Sequence, residues 1–378
     1  MDKKNKNPNV PNLRFEKFNN NWSRTTISKV CVCNPKNEDK LDDEFIYIDL
    51  ESVEKGVLKS KNIIHLKNAP SRAQRILYKN DILFQSVRPY QRNNYLLNED
   101  DDFLQYVAST GYIQLRTTLN PYFLFQLLNT DKINNEVMLR CTGTSYPAIN
   151  SNNFSNILIT ITNDRNEQNK IAKFFSLIEE RIQTQIKIID DYNSLKMGIY
   201  NCVFKENYAD YKLKQLAYIV KGDQINNDQL LSNGSYYMMN GGASPSGYLD
   251  SYNVSENTIS ISEGGNSCGY VQFNSSPFWS GGHCYTIQNV NSALIENKYL
   301  YHYLKYKEKE IMNLRIGTGL PNIQKKDLEN FTILVPSLLI QRKNLALFEM
   351  LDEKISILNE ELANLQKQKK YLLCNMFI

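Results

Sequence analysis

Long hydrophobic runs are missing from this 378-residue chain. The best of them, FTILVPSLLI (331–340), has about half the length a membrane-spanning helix needs and is interrupted by Pro336. The opening MDKKNKNPNVPN is polar and lacks the apolar core of a signal peptide, so it reads as a flexible lead-in to a cytoplasmic protein. Cysteines number seven, an odd count at irregular spacing, which excludes a disulfide framework and points to reduced thiols. Only three histidines occur, His65, His283 and His302, and none falls in a nucleophile arrangement. Net charge is only +4, so any nucleic-acid surface must be local rather than global.

Enzyme motifs are also absent. No glycine-rich cofactor loop is followed by the Asn-Pro-Pro or Asp-Pro-Pro aromatic motif of an adenine methyltransferase; NPKN (34–37) lacks the second proline and the aromatic. No phosphate loop and no nuclease-like group of carboxylates with a lysine can be found. Cys31 and Cys33 stand too close for the usual zinc spacing, and the adjacent His283 and Cys284, with Cys268, do not make a second spaced pair. No metal site and no catalytic residue is expected.

What the chain does have is a repeat. Ile171, Phe175, Ile178, Ile182, Gln185, Ile189, Tyr192, Lys196, Ile199 and Val203 alternate steps of four and three. The same steps recur, at a constant offset, in Asn344, Phe348, Leu351, Ile355, Leu358, Leu362, Leu365, Lys369, Leu372 and Met376. Eight of ten are apolar in each set, and a 3.5-residue period held this long is a coiled-coil seam. Lys196 and Lys369 fall at the same step, and Phe204 and Phe377 close the two copies. Upstream, TGTSYPAIN (142–150) matches TGLPNIQ (318–324), each read as a Thr-Gly turn, then Pro-x-Ile. NWSRTTISKV (21–30) loosely echoes DYKLKQLAYIV (210–220). The organisation is a globular region, a long helix, a second globular region and a second long helix.

The globular regions read as mixed strands and short helices. EFIYIDL, NDILFQSV and NTISISE have strand character; NPYFLFQLLN and ENKYLYHYLKYKEKEIMN read as helices, with Asn120 capping the first before Pro121. Their core sequences differ widely between the two halves.

Two stretches suit a ligand. From Leu58 to Asn94, eight lysines and arginines face a single acid, Asp81. Arg72, Arg75, Arg88, Tyr90 and Arg92 are the candidates there for phosphate contact and base-edge reading; the plainer alternative is a solvated loop and strand edge. In the second half, MNGGASPSGYLDSYN (239–253) and SEGGNSCGYVQFNSSPFWSGGHC (262–284) are rich in glycine, amides and hydroxyls, and Ser246, Tyr248, Asn266, Ser267 and His283 are the candidates. Tight turns are the alternative. Against DNA stands the absence of Lys and Arg between Gly222 and Gly282; Lys298, Lys305, Lys307, Lys309, Arg315, Lys325 and Lys326 would have to supply the charge.

LRFEKFNNNW, SRAQRILYKNDILFQSVRPY, MNGGASPSGYLDSYN, ISEGGNSCGYVQF, PFWSGGHCYTI, the paired turns and the helix openings EQNKIAKFFSLIEERI and IQRKNLALFEMLDEKI together resemble the specificity (S) subunit of a type I restriction-modification system, over nearly the whole chain from about Leu13. The second helix departs from the usual acidic opening, with Ile340 where Glu167 stands in the first. The resemblance implies an α+β fold with two target-recognition domains of mixed strands and short helices. Each is followed by a long helix, the helices packing as an antiparallel coiled coil with a pseudo-twofold repeat. The segments are then a flexible 1–13, domains 14–162 and 206–336, and spacer helices 163–205 and 337–378. It also implies a non-catalytic reader of a split, asymmetric double-stranded DNA target in bacterial defence against foreign DNA. Two modification (methyltransferase) subunits and restriction subunits would dock on it, and S-adenosylmethionine, ATP and Mg would belong to those partners. The coiled-coil positions expected to serve packing and partners are Ile171, Phe175, Ile178, Ile182, Ile189, Phe348, Leu351, Ile355, Leu358, Leu362 and Leu365. The alternatives are a stand-alone nuclease or methyltransferase, a coiled-coil scaffold, or an orphan or anti-restriction adaptor that binds modification subunits without directing them.

Overall fold

A computed structural model describes residues 9–98, 103–143, 145–205, 208–317, 319 and 321–378. Most of the expected lead-in, the first two residues of the expected 206–336 domain, and Thr144, Thr318 and Leu320 of the two turn motifs lie outside the described residues. The chain divides into two units, Met1–Gln185 with Glu361–Ile378, and Ile186–Glu360. Each contains one globular domain and part of each long helix.

The long helices are Arg165–Val203 and Leu338–Met376, 39 residues each, or ~58 Å at the usual rise. In the first unit, Phe175 stacks on Phe377, Glu179 pairs with Lys369, and Gln185 donates to Glu361. One numbering rises as the other falls, so the helix segments run antiparallel. In the second unit Lys196 pairs with Asp352 and the Phe204 and Phe348 rings lie 5.7 Å apart, again antiparallel. Ile171, Phe175, Ile182, Ile189, Phe348, Leu351 and Leu358 of the seam are buried; Ile178, Ile355, Leu362 and Leu365 are half-buried. The 3.5-residue period therefore marks the faces that pack.

The first domain has two four-stranded sheets. One runs Cys31–Cys33, Tyr112–Thr117, Ile82–Gln85, Tyr95–Leu96 in spatial order, all antiparallel. The other runs Asn62–His65, Glu44–Ile48, Gln105–Ser109, Ala73–Leu77, with its central pair parallel. Helix Pro121–Leu128 follows, and the Asn120 side chain accepts from the Phe123 amide at 3.0 Å, as its capping position requires. A two-stranded pairing of Ser23–Thr26 with Leu158–Ile161 closes the domain beside the helix start.

The second domain repeats this core. Tyr218–Lys221, Cys284–Gln288, Thr258–Ser262 and Val271–Asn274 form an antiparallel sheet in the same order of equivalents, helix Asn297–Tyr306 follows, and Ala209–Lys212 pairs with Thr332–Val335. The other sheet differs, with three strands, Gly247–Leu249, Tyr236–Met239 and Trp279–Ser280. Divergent core sequence thus conceals one shared sheet, because alternation of buried apolar side chains can be met by many residue sets. The stretch 296–313, read as one helix, is two, Asn297–Tyr306 and Glu308–Met312, with Lys307 between them off helical backbone values.

The turn motif needs a shifted register. Thr142 bridges Ala148, and Ile316 bridges Asn322, so Gly143 corresponds to Gly317, not Gly319. Both glycines hold positive φ, +88° and +100°, the left-handed values that a side chain resists. The shared pattern is Gly-Thr-x-x-Pro-x-Ile; the matched Thr-Gly pairs were a coincidence of composition.

Candidate nucleic-acid interface

Each domain carries one loop stitched to its Pro-x-Ile segment, and the two loops are built alike. In the first, Ile149 donates its amide to Ser86 O at 3.0 Å and Arg88 donates to Pro147 O at 2.8 Å. In the second, Ile323 donates to Glu263 O at 2.9 Å and Gly265 to Pro321 O at 3.1 Å. The Ser86 and Glu263 amides donate in turn to Gly111 O and His283 O. RPYQR (88–92) is therefore the counterpart of GNSCG (265–269). The left-handed positions coincide: Arg88 and Arg92 have φ of 54° and 55°, Gly265 and Gly269 of 75° and 89°. Asn266 and Ser267 stand where Pro89 and Tyr90 stand.

The structure separates the basic candidates of the first domain. Arg72 is exposed, with no side-chain partner among the described residues. Arg75 is half-buried, its Nε lacks a hydrogen-bond partner, and burial lowers its pKa. Arg92 is committed to Asp131 at 2.7 Å, and this pair holds the Asp131 carboxyl below its ordinary value. Tyr90 is 51% exposed at the loop tip. Arg88 lies 4.5 Å over the ring of Tyr146. Tyr146 was not among the sequence candidates; its place in the turn motif was the one available signal.

Arg72, Arg88 and Tyr146 line an open cleft of about 1000 Å³ together with Lys55 and Lys59. Glu51 and Glu54 line it too, so cations outnumber acids there four to two.

In the second domain, Asn266, Ser267 and His283 come together at one end of the four-stranded sheet. His283 is exposed, and its amide donates to Asn240 Oδ1 at 2.9 Å. Beneath them Glu263 is buried. Its Oε1 accepts from Lys221 Nζ at 2.6 Å and Tyr285 OH at 3.0 Å, while Oε2 has only His283 Nδ1 at 3.5 Å. Burial, then Glu263, pushes the Tyr285 hydroxyl pKa up, so it stays a donor. Ser246 and Tyr248 are exposed on the three-stranded sheet, where the Ser246 amide donates to Met238 O and Tyr248 faces Tyr237. Of the reserve cations, Lys298, Lys305, Lys307 and Lys325 are paired with glutamates. Arg315 lies near enough to the loop to act on the Cys268 thiol.

Among the described residues no group of three or more His, Cys, Asp or Glu side chains could hold a metal ion. Burial pushes the Cys31 thiol up to about 12 and Cys284 up to about 11, values at which neither is a nucleophile. No helix among the described residues is long and apolar enough to cross a membrane.

The two units thus share one plan, a strand-loop-helix core with one exposed loop stitched to a Pro-x-Ile segment. Residues 205–367 match the family model described as the type I restriction modification DNA specificity domain. A putative type I specificity subunit of Mycoplasma pneumoniae is 34% identical over 155 residues, covering 41% of this chain and 41% of that relative, so the chain matches about two-fifths of the relative's length. The solved S subunit of a type I restriction-modification system from M. genitalium superposes with a TM-score of 0.65 at 20% identity, over 98% of this chain and 99% of that one. A chain from a structure of type I R-M complex assembly and conformational transition gives 0.54 at 22%, over 93% and 96%. The two structural likenesses show the fold. The family match covers residues 205–367, the second half of the chain, which is similar to the type I restriction modification DNA specificity domain.

Proposed function

We propose that this chain directs a type I restriction-modification complex to its DNA and does no chemistry itself. Each globular domain reads one half of a split target, and the long helices act as the spacer between the halves. The observation that carries this reading is the duplicated loop: the same backbone device is offered once per domain, with different side chains on it. A different side-chain set at each loop means two unlike half-sites, hence an asymmetric target. Two modification subunits dock around the helices, with restriction subunits joining in the full complex in the cytoplasm; S-adenosylmethionine, ATP and Mg are bound by those partners. The unpaired cations of the first domain and Arg315 in the second supply local attraction for phosphate that the near-neutral chain as a whole does not.

The test is a methylome. The chain is co-expressed with its modification subunit in a methylation-free host, and modified adenines are mapped. One split motif, methylated on both strands and lost when this chain is omitted, is the expected result. A stable complex that adds no methylation would overturn the reading in favour of a scaffold or an inhibitory adaptor.

A further inference from the structure

We propose that Arg88 reads a guanine in the half-site of the first domain, with Tyr146 as its positioning residue and Lys55, Lys59 and Arg72 holding the flanking phosphates. This rests on the DNA-directing function proposed above and assigns the chemistry of one of its two sites.

Three observations carry the assignment. The first is backbone fixation. Arg88 is held in the left-handed region, φ 54° and ψ 52°, at the start of the turn Pro89–Gln91. Its amide is tied to Pro147 O, so the residue is fixed to the segment that also presents Tyr146. A non-glycine residue keeps such values only where its surroundings over-determine them, and such positions cluster at ligand sites. The second is the side chain. Its guanidinium lies against the Tyr146 ring and, among the described residues, has no ion pair or side-chain hydrogen bond. A cation–π contact uses none of the N–H donors in a hydrogen bond or ion pair, so they remain available to a ligand. Those donors form a planar fork, matching the paired O6 and N7 acceptors of guanine in the major groove. The third is the contrast with its neighbours. Arg92 is spent on Asp131, and Arg75 is half-buried with its Nε facing no acceptor. Lys55, Lys59 and Arg72 line the same cleft without an anionic partner among the described residues and without an aromatic support. Lys55 and Lys59 are free point charges suited to phosphate, and the exposed Arg72, with no ring beneath it, is not held in the fixed orientation that a base edge requires.

The second domain supplies an internal control. Gly265 occupies the place of Arg88 there, so the guanine contact belongs to one half-site only.

The experiment uses the full chain in complex with its modification subunit and a panel of duplexes in which each base pair of both half-sites is permuted, titrated at several salt concentrations. Arg88→Ala is expected to lose roughly tenfold to a hundredfold of preference at a single G·C position in one half-site, with the other half-site unchanged. Arg88→Lys keeps the charge and the salt slope but not that preference, because an ammonium cannot form the fork. Tyr146→Ala lowers the same preference in part, while Tyr146→Phe retains it. Lys59→Ala and Arg72→Ala weaken all duplexes alike and each reduce the log–log salt slope by about one.

The proposal is overturned if Arg88→Ala and Arg88→Lys leave every base preference as it was, if they weaken all duplexes by one factor, or if the position affected is not G·C. Should the unsubstituted complex itself fail to discriminate among the duplexes, the DNA-directing function falls along with it.

Discussion

Gln168 and Gln341 do the same work in the two units. Each is the fourth residue of a long helix and is buried, at 2% and 0% exposure. Gln168 accepts from the Asn120 amide at 2.9 Å and donates to Thr162 O at 2.9 Å. Gln341 accepts from the Glu296 amide at 2.8 Å and donates to Pro336 O and Leu294 O, both at 2.8 Å. Asn120 and Glu296 are the residues that precede the short helices of their domains. One amide side chain thus locks a domain helix to the start of each long helix.

Removing this lock leaves buried backbone groups without partners, at about 1–3 kcal/mol for each group left unsatisfied. Gln341→Ala is expected to lower the urea midpoint of the second unit, and Gln341→Glu to lower it further, since it puts a carboxylate among carbonyls. Equal midpoints for the three proteins by circular dichroism would refute the lock.

The interhelix ion pairs follow the same repeat. Glu179 and Asp352 occupy the same step of their two helices, as do Lys196 and Lys369, and each acid takes the lysine of the other helix. A double-mutant cycle of Glu179→Ala with Lys369→Ala should return a coupling of about 0.5–1 kcal/mol, the scale for partly exposed pairs. Exchanging the charges, Glu179→Lys with Lys369→Glu, should recover most of what either single reversal loses. A swap no better than the single changes would rule out a direct pair.

His302 gives the second unit a pH dependence. It is buried, and its Nδ1 lies 2.7 Å from Tyr200 OH. Burial, helped by the Lys196 charge, lowers its pKa from 6.5 to about 3. Asp352 is 3.9 Å away but is engaged by Lys196, so it does not rescue the imidazolium. Burial raises the Tyr200 hydroxyl pKa, so the hydroxyl stays protonated beside the neutral His302 ring, and the two share one hydrogen bond. The unfolded chain takes up a proton near pH 6.5 that the folded chain refuses until about pH 3. Stability is therefore full above pH 6.5 and falls as pH drops towards 3, with a limiting slope of about 1.4 kcal/mol per pH unit. His302→Gln should flatten that part of the curve between pH 6 and 4. An unchanged slope in urea titrations would show that other groups control it.

Gly269 tests the loop equivalence. It holds φ +89°, and a Cβ there would meet Met312 Cα at 2.8 Å. Gly269→Ala should cost about 1–3 kcal/mol of stability in the second unit through strain, with the collision adding to it. In the complex it should disturb preference at the half-site that Arg88→Ala leaves alone. Alanine accepted without loss of stability would argue against the left-handed loop.

The long helices were legible in the amino-acid order because a 3.5-residue period is a local property: it needs only the spacing of Ile171, Phe175 and their successors. Its recurrence from Asn344 and Phe348 onwards announced the duplication. Pro147 and Pro321 marked the exit from each domain for a similar reason, since proline constrains its own backbone whatever surrounds it. Which glycine matched which was not legible, because Gly143 and Gly317 are paired by bridges across the turn and not by their neighbours in sequence. The same limit hid the kinship of RPYQR and GNSCG, which share left-handed backbone values and no side chain. Net charge could count the arginines between Leu58 and Asn94 but could not spend them. Only folding set Asp131 against Arg92, buried the Arg75 Nε and brought Tyr146, remote in sequence, beneath Arg88. Periodicity and backbone constraint act over a few residues and are written in the sequence; which charge remains free for a ligand is decided by partners that only the tertiary structure brings within reach.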